Sequence, residues 1–579
     1  QTLPSYMVPS ILMQLPQLPA TPNGKVDRKA LPAPNLDELA RSTPFTAPNT
    51  ATESQLCAIW QQLLGVTTVG IHDDFLELGA HSLQATQLVT RMQAQFNVRL
   101  TLRDIFENGT VARLAALISE SHTEQDIPPI TPTDPDQPLP VSFAQQRLLV
   151  IDRLTPNEAT YNEHVALRLN GRLDTAALQT AVNTLFTRHN SLRTTFYEGE
   201  DGQAYQRIAP DTHLPISHVD FSGQEPEALA WLEGELARPF SLTTGPLMRV
   251  ALLRLNDQQH LLLFVIHHII TDGWSMEILV DELWQLYRAA LGNQPSPLAP
   301  LAVQYADFAQ WQRRWLAGER LNEQAAYWQA QLAEVPSLHN LPTDLPRPKL
   351  QSTRGKKHVA PLSAALTDSL RQLSRQENAT LFMTLFAAYN LLLFRHSQQD
   401  DIVIGTASAN RHHPQIEQLI GFFVNMLPLR TQMNPQASFT DLLAQVRQTA
   451  LEAFTHQDIP FEQVVNLLQP VRDTSHTPIF QVSFALVNAP PALPQLNDLR
   501  FTPLTAESQT SKYDLTLAIT ETNNGLICTW EYSTELFFAE TIERLHRRFE
   551  TLLQGIVAAP QQNIARLPLL PAAEQQLLL

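Results

Sequence analysis

The chain has 579 residues, of which 44% are hydrophobic and 17% charged, and its formal net charge is −17. This length is too great for one hydrophobic core, so several globular domains are expected. The acidic balance and the absence of a long Lys/Arg run argue against nucleic acid as a partner, and no apolar run approaches the roughly 18 residues of a membrane span.

The first residues, QTLPSYMVPS, have neither the basic region nor the apolar core of a signal peptide. The chain does not begin with methionine, so we expect it to be a fragment of a longer protein. Its two cysteines, Cys57 and Cys528, lie too far apart in sequence to form a disulfide framework, which favours a reducing, cytoplasmic setting. No metal site is predicted.

Residues 5–32, SYMVPSILMQLPQLPATPNGKVDRKALP, resemble the C-terminal end of an adenylation domain. The resemblance implies that Lys25, in NGKVDRKAL, matches the lysine that serves the adenylation half-reaction in that family. Taken alone, a lysine in an Asn-Gly turn is a solvated turn residue. We therefore assign residues 1–33 to an adenylation tail, without a nucleotide site of its own, and the proline-containing residues 34–51 to a linker.

Residues 52–120 read as helical, because apolar residues recur at spacings of three and four. The pattern predicts one helix from near Thr52, a second around Leu83–Met92 and a third around Val111–Ile118. No strand-like alternation interrupts them. The segment is predicted to be an all-α bundle of three or four short helices.

Ser82 stands within DDFLELGAHSLQATQLVTRM, where the loop LGAH enters a predicted helix. A helix N-terminus favours an attached phosphate, although an N-cap serine is the simpler explanation of the position alone. DDFLELGAHSL resembles the attachment motif of peptidyl carrier domains from nonribosomal peptide synthetases, with Ala80 in place of the usual second glycine. The resemblance implies that Ser82 carries 4′-phosphopantetheine, which a phosphopantetheinyl transferase attaches.

A second linker, residues 121–138, is rich in proline and poor in core-forming residues, which predicts a flexible connection. The long remainder alternates strand-like runs such as HLLLFVI with helical stretches such as ILVDELWQLYRAAL. This pattern predicts an α/β architecture of two lobes, an N-lobe of about 139–310 and a C-lobe of about 311–566.

The sequence HHIITDG, residues 267–273, follows an apolar run that reads as a buried strand. One interpretation is a structural histidine at a strand end followed by an Asp-Gly turn. The other is acyl transfer, since an imidazole with an ordinary pKa near 6.5 accepts a proton from an attacking amine at neutral pH. Side chains alternate along a strand, so only one histidine faces the reaction, and we choose His268. A second pair, His412-His413, lacks the Asp-Gly and is predicted to lie in a surface loop.

HHIITDG is also the signature of condensation domains, relatives of chloramphenicol acetyltransferase. Further motifs of that family occur in the expected order, and the resemblance covers 139–566; they are SFAQQRL, RHNSLRTTF, QYADFAQW, IGFFVNMLPLR, HQDIPFEQVV and KYDLTL. An expected aromatic near Leu149 is absent, and Met426 replaces the usual threonine.

The resemblance to condensation domains implies two lobes around a tunnel, with His268 at its middle and His267 beside it. Asp272 would pair with an arginine, for which Arg411 and Arg193 are the candidates. Gly273 would keep a backbone approach open for substrate.

The order of the domains implies a direction for the reaction. In this family the carrier before the condensation domain brings the donor thioester, and a downstream carrier brings the acceptor amine, so we expect the Ser82 arm to be the donor. No epimerisation domain fits between the two, which implies an L-configured donor. Residues 567–579, LPLLPAAEQQLLL, resemble the start of the next adenylation domain, so adenylation domains are expected upstream and downstream.

Four alternatives remain open: an epimerase-type relative, a heterocyclisation domain, a free-standing acyltransferase that uses coenzyme A, and a non-catalytic docking platform that recruits other enzymes. A heterocyclisation domain would carry aspartates in place of the histidines. Docking platforms usually lose the second histidine, whereas His268 is present.

Overall fold

The computed structural model describes residues 44–80, 82–98, 100–120, 127–134, 137–210, 213–471, 473–487, 498–504, 509–522 and 524–578. The chain divides into two compact units, with the boundary between Asp126 and Ile127. The predicted adenylation tail, including Lys25, lies outside the described residues.

The first unit is helical in its described part. Its helices are α1 (Ala51–Leu64), α2 (Ser82–Phe96), α3 (Leu102–Glu107) and α4 (Val111–Glu120). Thr50 begins α1 with a capping box, in which its hydroxyl accepts from the Glu53 backbone while the Glu53 carboxylate accepts from the Thr50 backbone. The bundle closes around Trp60, whose ring meets Phe75 edge-on at 4.9 Å between centroids. The end of the predicted linker 34–51 is held on this unit, because Ile71 N–H donates to the Thr46 carbonyl over 2.9 Å.

The second unit begins with a half that contains two sheets. Its elements are β1 (Leu139–Pro140), α5 (Phe143–Leu154), β2 (Asn162–Asn170), α6 (Thr175–Arg188), β3 (Thr194–Glu198), β4 (Ala204–Ile208), β5 (Ile216–Asp220), α7 (Glu225–Leu236), β6 (Met248–Asn256), β7 (Gln259–His267), α8 (Gly273–Leu291), α9 (Tyr305–Trp315) and α10 (Gly318–Gln331). One sheet has the order β1-β4-β3.

The other half is built on one six-stranded sheet. Its elements are β8 (Gly355–Pro361), α11 (Ala364–Gln376), α12 (Leu381–Ser397), β9 (Asp401–Ser408), β10 (Asn425–Gln432), α13 (Phe439–Thr455), α14 (Phe461–Leu468), β11 (Val482–Val487), β12 (Arg500–Pro503), β13 (Leu515–Thr522), β14 (Gly525–Ser533), α15 (Ala539–Ala558) and α16 (Ala572–Leu578). The strand order is β10-β9-β11-β13-β14-β8, and the nearly all-apolar α12 is buried between this sheet and its neighbouring helices.

The five-stranded sheet joins the two halves. Its order is β12-β2-β7-β6-β5, so the short strand β12 returns from the second half and pairs antiparallel with the edge of β2. This exchange covers backbone groups that the edge strand would otherwise expose. The predicted lobe boundary near residue 310 therefore does not separate the strands completely.

Strand β7 lies in the middle of that sheet and is buried on both faces. Leu262, Phe264 and Ile266 enter the core beneath α6 and α8. Leu261, Leu263 and Val265 enter a second core beneath α7. Burial on both faces explains why the strand is a continuous apolar run rather than an alternating one.

Part of the predicted flexible linker 121–138 is anchored on the second unit. Ile130 is buried, and its backbone N–H and C=O both bond to the side-chain amide of Gln415, each over 3.0 Å. Trp311 Nε1 donates to the Pro128 carbonyl over 2.7 Å. Thr133 bonds to Asp307 through both its backbone N–H and its hydroxyl, over 2.7 Å. Proline content alone did not predict this, because the anchoring groups come from distant parts of the chain.

Residues 567–578 also pack on the second unit. Arg395 donates to the carbonyls of Ile564 and Leu567, and Arg548 pairs with Glu574 on α16. The structure therefore packs these residues against helices α12 and α15 of the second unit. Their sequence instead resembles the start of a separate adenylation domain.

Candidate active site at the end of strand β7

The end of β7 presents the first histidine pair. The strand terminates at His267, and His268 opens a single 3₁₀ turn that ends at Ile270. The chain then enters α8, where Asp272 is the N-cap and its Oδ1 accepts the Ser275 N–H over 2.8 Å. A capping aspartate satisfies a helix N–H that has no partner within the helix. The Asp-Gly therefore begins a helix rather than forming an isolated turn.

His267 is buried, and its side chain lies on the face of β7 opposite to the core beneath α6 and α8. Its Nδ1 accepts the Ile269 N–H over 3.1 Å, and its ring lies near Tyr161 and Phe240. Burial, followed by the neighbouring His268 and Lys512, lowers the pKa of His267 to about 3. The ring is thus neutral at physiological pH, with its Nδ1 lone pair committed to the turn.

His268 is fixed in one tautomer by a backbone carbonyl. Its Nδ1 lies 2.7 Å from the Thr271 oxygen, and since a carbonyl only accepts, Nδ1 carries the hydrogen. Nε2 of the neutral ring is then a proton acceptor, and the side chain keeps 14% of its surface exposed. The ring packs on Phe422 at 4.7 Å between centroids. Burial, then the charge of Lys512, lowers the pKa of His268 below its ordinary 6.5.

Two charged side chains from other strands approach His268. Glu163 on β2 places Oε1 3.6 Å from His268 Nε2, and Lys512 Nζ donates to the same Oε1 over 2.9 Å. Burial alone would lower the pKa of Lys512, but the Glu163 carboxylate raises it to about 12. Burial would raise the pKa of Glu163, and the Lys512 and His268 charges outweigh it, so this pKa lies well below its usual range. Both groups are charged at neutral pH.

Glu163 was not predicted from the sequence. It lies in the polar first residues of strand β2, where a glutamate is normally solvated. Only the strand register, which pairs Glu163 with Ile266, brings it to the end of β7. Lys512 begins the KYDLTL motif, which indicated its importance but not its partner.

Asp272 is paired with Arg411. Arg411 Nη2 lies 3.3 Å from Asp272 Oδ1 and donates to Ser275 Oγ over 2.7 Å, and both charged side chains are buried. Asp272 Oδ2 also accepts the Phe423 N–H over 2.9 Å. The carboxylate therefore joins α8 to the 411–423 segment and does not contact His268 directly.

The other arginine candidate lies elsewhere. Arg193 is buried, and its guanidinium donates to the carbonyls of Phe186, Thr187 and Ala209 and to the Asn190 side chain. The prediction that Arg193 is a candidate partner of Asp272 is thus wrong in this structure. Both arginines occur in family-like motifs, so only the long-range contacts distinguish them.

Space remains open beside the site. A β-carbon added to the exposed Gly273 would meet no atom within 4 Å, which fits the expected open backbone approach. A small cleft that reaches Phe422, the ring packed on His268, is lined by residues of both halves, among them Met426, Arg147 and Glu462. The last two form an ion pair at 3.2 Å.

The second histidine pair differs from its prediction. His412 and His413 lie in a loop, but both are partly buried. His412 Nε2 lies 2.7 Å from Asn410 Oδ1 and 3.5 Å from Asp458 Oδ1. His413 Nδ1 accepts the Gln415 N–H over 3.2 Å, and its ring meets Trp311. A surface loop was predicted because the apolar neighbours of this loop are distant in sequence.

In the first unit, Ser82 is the first residue of the 15-residue helix α2. Its side chain is outside the described part of the structure. The first turn contains no acidic residue, and a β-carbon at Gly79, whose φ is +91°, would meet no atom within 4 Å. A helix N-terminus without a nearby carboxylate in its first turn suits a phosphodiester, so these residues fit the implied phosphopantetheine group.

Comparison with known proteins decides the family. Residues 136–579 match the Condensation domain family, and residues 54–118 match the Phosphopantetheine attachment site family. The chain belongs to the condensation domain family. Its carrier segment bears a phosphopantetheine attachment site. The resemblance to a peptidyl carrier domain followed by a condensation domain is thereby confirmed, and so is the fold class.

The chain is 45% identical to a linear gramicidin synthase from Brevibacillus parabrevis over 587 aligned positions, which span all of this chain and 11% of that protein. The chain thus corresponds to about a tenth of that relative. Among solved structures, the X-domain in complex with OxyB from teicoplanin biosynthesis is 29% identical with a TM-score of 0.71, covering 77% of this chain and 99% of that one. The first condensation domain of the calcium-dependent antibiotic synthetase, at 22% identity, a TM-score of 0.65 and coverage of 76% and 100%, shares the fold.

Membrane-spanning helices and metal-ligand clusters are both absent from the described residues. No described helix has the length and apolar character that crossing a membrane requires. Within the same part of the chain, no group of three or more His, Cys, Asp or Glu side chains is arranged to hold a metal ion.

Proposed function

We propose that this condensation domain joins an acyl group, delivered as a thioester from Ser82, to the amine of an aminoacyl thioester on a downstream carrier. The observation that carries the proposal is the state of His268. Its Nδ1 hydrogen is held by Thr271, so Nε2 of the neutral ring is left as the acceptor, and the side chain keeps 14% of its surface exposed. A base must accept the proton it removes at an uncommitted acceptor atom, and Nε2 of the partly exposed ring is such an atom.

The proposed reaction balances without an additional reactant. The amine nitrogen attacks the thioester carbonyl, a C–N bond forms and the C–S bond breaks. The amine proton moves to His268 Nε2 and then to the departing sulfur, which leaves as a thiol. Asp272 and Arg411 hold the start of α8 in position and do not exchange protons with substrate. Gly273 leaves room for the acceptor to approach.

His268 supplies the smaller part of the expected acceleration. General base catalysis contributes about 10²–10⁴-fold, whereas holding two reactants together provides effective molarities of about 10⁵–10⁸ M. We therefore assign to His268 the orientation of the amine and assistance to proton transfer. Tethering both substrates to carriers supplies the larger contribution.

The phosphopantetheine arm supplies a thiol that carries the donor as a thioester. We propose Ser82 as its attachment point and a phosphopantetheinyl transferase as the enzyme that installs it. Adenylation domains upstream and downstream would load the two carriers. The absence of any sequence long enough for an epimerisation domain between residues 120 and 139 supports an L-configured donor.

The experiment compares the wild type with His268→Ala and Ser82→Ala after treatment with coenzyme A and a phosphopantetheinyl transferase. Mass spectrometry should show modification of the wild type and of His268→Ala, but not of Ser82→Ala. Amide formation with an acceptor loaded on a separate carrier should require both residues. Modification of Ser82→Ala, or unchanged amide formation by His268→Ala, would contradict the proposal. A D-residue at the donor position of the product would contradict the stereochemical part.

A second candidate function is recruitment of another enzyme. The similarity to the X-domain that forms a complex with OxyB favours it. A recruitment platform would bind a partner without forming amide, so its binding would be unaffected by His268→Ala. Amide formation by the wild type that is lost in His268→Ala separates the two functions.

We also propose a reducing, cytoplasmic setting, because both cysteines of the chain are buried and unpaired. An unchanged unfolding midpoint with and without a thiol reductant is the expected result.

A further inference from the structure

The carboxylate of Glu163 lies close to the nitrogen of His268 that is proposed to accept the proton. The register of β2 against β7 pairs Glu163 with Ile266, two residues before His268. Glu163 Oε1 is 3.6 Å from His268 Nε2, beyond a hydrogen bond to a neutral ring but within ion-pair range of a protonated one. The Glu163 side chain is 36% exposed.

Lys512 holds this carboxylate in place and in its charged form. Its Nζ bonds to Glu163 Oε1 over 2.9 Å and lies 5.5 Å from the centre of the Tyr161 ring. The Lys512 backbone N–H donates to Glu531 over 3.4 Å, which ties the segment before β13 to β14. The backbone of Lys512 is therefore held by a hydrogen bond while its side chain contacts Glu163.

The ionisable groups around His268 act in opposite directions. Glu163 and Asp272 favour the imidazolium, and Lys512 opposes it. His267, on the same turn, is neutral and also faces Tyr161. Asp272 is paired with the buried Arg411, whereas the Glu163 carboxylate lies within ion-pair distance of Nε2.

We propose that Glu163 is a positioning residue that stabilises the imidazolium of His268 as Nε2 takes the amine proton. The proton passes from the amine nitrogen to Nε2 and on to the departing sulfur, and Glu163 never receives it because Lys512 keeps the carboxylate ionised. The inference rests on the function proposed above for His268. The resting ring stays neutral and the charged ring is stabilised where it forms, which is the electrostatic preorganisation expected of an active site.

A purely structural role makes a different prediction. Glu163 belongs to the first half of the second unit and Lys512 to the second half, so the pair could simply tie the halves together. In that case Glu163→Gln and Lys512→Met break the same contact and should have the same effect. If the pair acts on His268 electrostatically, the two variants remove opposite charges and should shift its titration in opposite directions.

The test measures amide formation against pH for the wild type, Glu163→Gln, Glu163→Asp, Lys512→Met and the exposed-pair control Arg153→Gln. We expect Glu163→Gln to lower kcat about tenfold, the loss of one modest electrostatic contact in the transition state, with KM nearly unchanged. The acid limb of the pH–rate profile should move to lower pH in Glu163→Gln and to higher pH in Lys512→Met. Glu163→Asp should recover part of the rate, and Arg153→Gln should match the wild type.

A second readout does not depend on activity. NMR titration of isotope-labelled histidine, assigned with His268→Gln, reports the pKa of His268 directly in each folded variant. Shifts in opposite directions for Glu163→Gln and Lys512→Met support the inference. Shifts in the same direction, or none, overturn it while leaving the role of His268 intact. Full activity of His268→Ala would overturn the proposed function and this inference together.

Discussion

The protein contains two pairs of consecutive histidines, His267-His268 and His412-His413, and their surroundings differ in one decisive respect. In each pair, one ring uses Nδ1 to accept a backbone N–H two residues later: His267 from Ile269, and His413 from Gln415. Both pairs are partly or wholly buried, and burial lowers the pKa of all four imidazoles. Neither burial nor local turn geometry distinguishes a reactive histidine from a structural one.

The difference lies in the remaining ring nitrogens. His268 donates through Nδ1 to Thr271, and its Nε2 lies 3.6 Å from Glu163, which is paired with Lys512. His412 bonds through Nε2 to Asn410 and lies near Asp458, so the corresponding nitrogen is already occupied. Only the first pair therefore has the arrangement that the proposed proton transfer requires. The second belongs to a loop whose Gln415 side chain bonds to both backbone groups of Ile130.

The largest effect should come from removing the reactive ring. His268→Ala is expected to lower the rate of amide formation by about 10²–10⁴-fold, the usual contribution of a general base. His412→Ala, which removes an imidazole of similar burial, should retain the rate within about twofold if the role of its ring is structural. Single-turnover assays with a loaded carrier measure both. Equal losses in the two variants would remove the distinction between the pairs.

The next largest effect, on stability, should come from replacing Asp272. The second histidine pair is not followed by a corresponding aspartate. Asp272→Ala leaves Arg411 buried without its counter-charge, and breaking such a pair costs about 3–5 kcal/mol of unfolding free energy. Urea unfolding followed by tryptophan fluorescence measures the loss. Glu198→Ala, which breaks an exposed pair with Arg153, should leave the transition near that of the wild type. A small change in Asp272→Ala would show that the ion pair does not hold the α8 N-terminus.

The pH dependence sharpens the comparison further. His268 must be neutral to accept a proton, and burial together with the Lys512 charge lowers its pKa below 6.5. The rate should therefore be full above that pKa and fall as the pH drops through it, with a midpoint below 6.5. The profile of His412→Gln should be superimposable on that of the wild type. If the midpoint of this fall in rate lay above pH 6.5, a group other than His268 would be responsible for it.

The smallest effect on activity should come from the second region. Gln415→Ala removes both hydrogen bonds to the Ile130 backbone, so the Ile130 amide should exchange with solvent faster. Hydrogen–deuterium exchange with mass spectrometry measures this locally. Gln445→Ala is the matched control, because it removes a hydrogen bond from a glutamine side chain to the Gln432 carbonyl and not to residues 127–133. Unchanged exchange at residues 127–133 would show that other contacts suffice.

The sequence predicted the helical first unit and the buried strand β7, because each depends on local spacing, and the choice of His268 as the reactive histidine stays a prediction. It left Arg411 and Arg193 as equal candidates, since the choice depends on which of them crosses to α8. It missed the proximity of Glu163 to His268, which depends on strand register, and the anchoring of Ile130, whose partner Gln415 is 285 residues away. Local patterns carry element type and chemistry; side-chain pairing between distant segments emerges only on folding.

The anchored segment has a practical meaning for recombining such domains. Ile130 contributes to the same hydrophobic core as β7 and α8, and Thr133 is tied to α9. A chimaera whose seam falls between 131 and 137 would replace Ile130 in that core by a residue of the foreign upstream segment. The proline-rich stretch that looks most permissive for cutting is thus inherited with the downstream partner, and exchange of the upstream carrier is best made before Ile127.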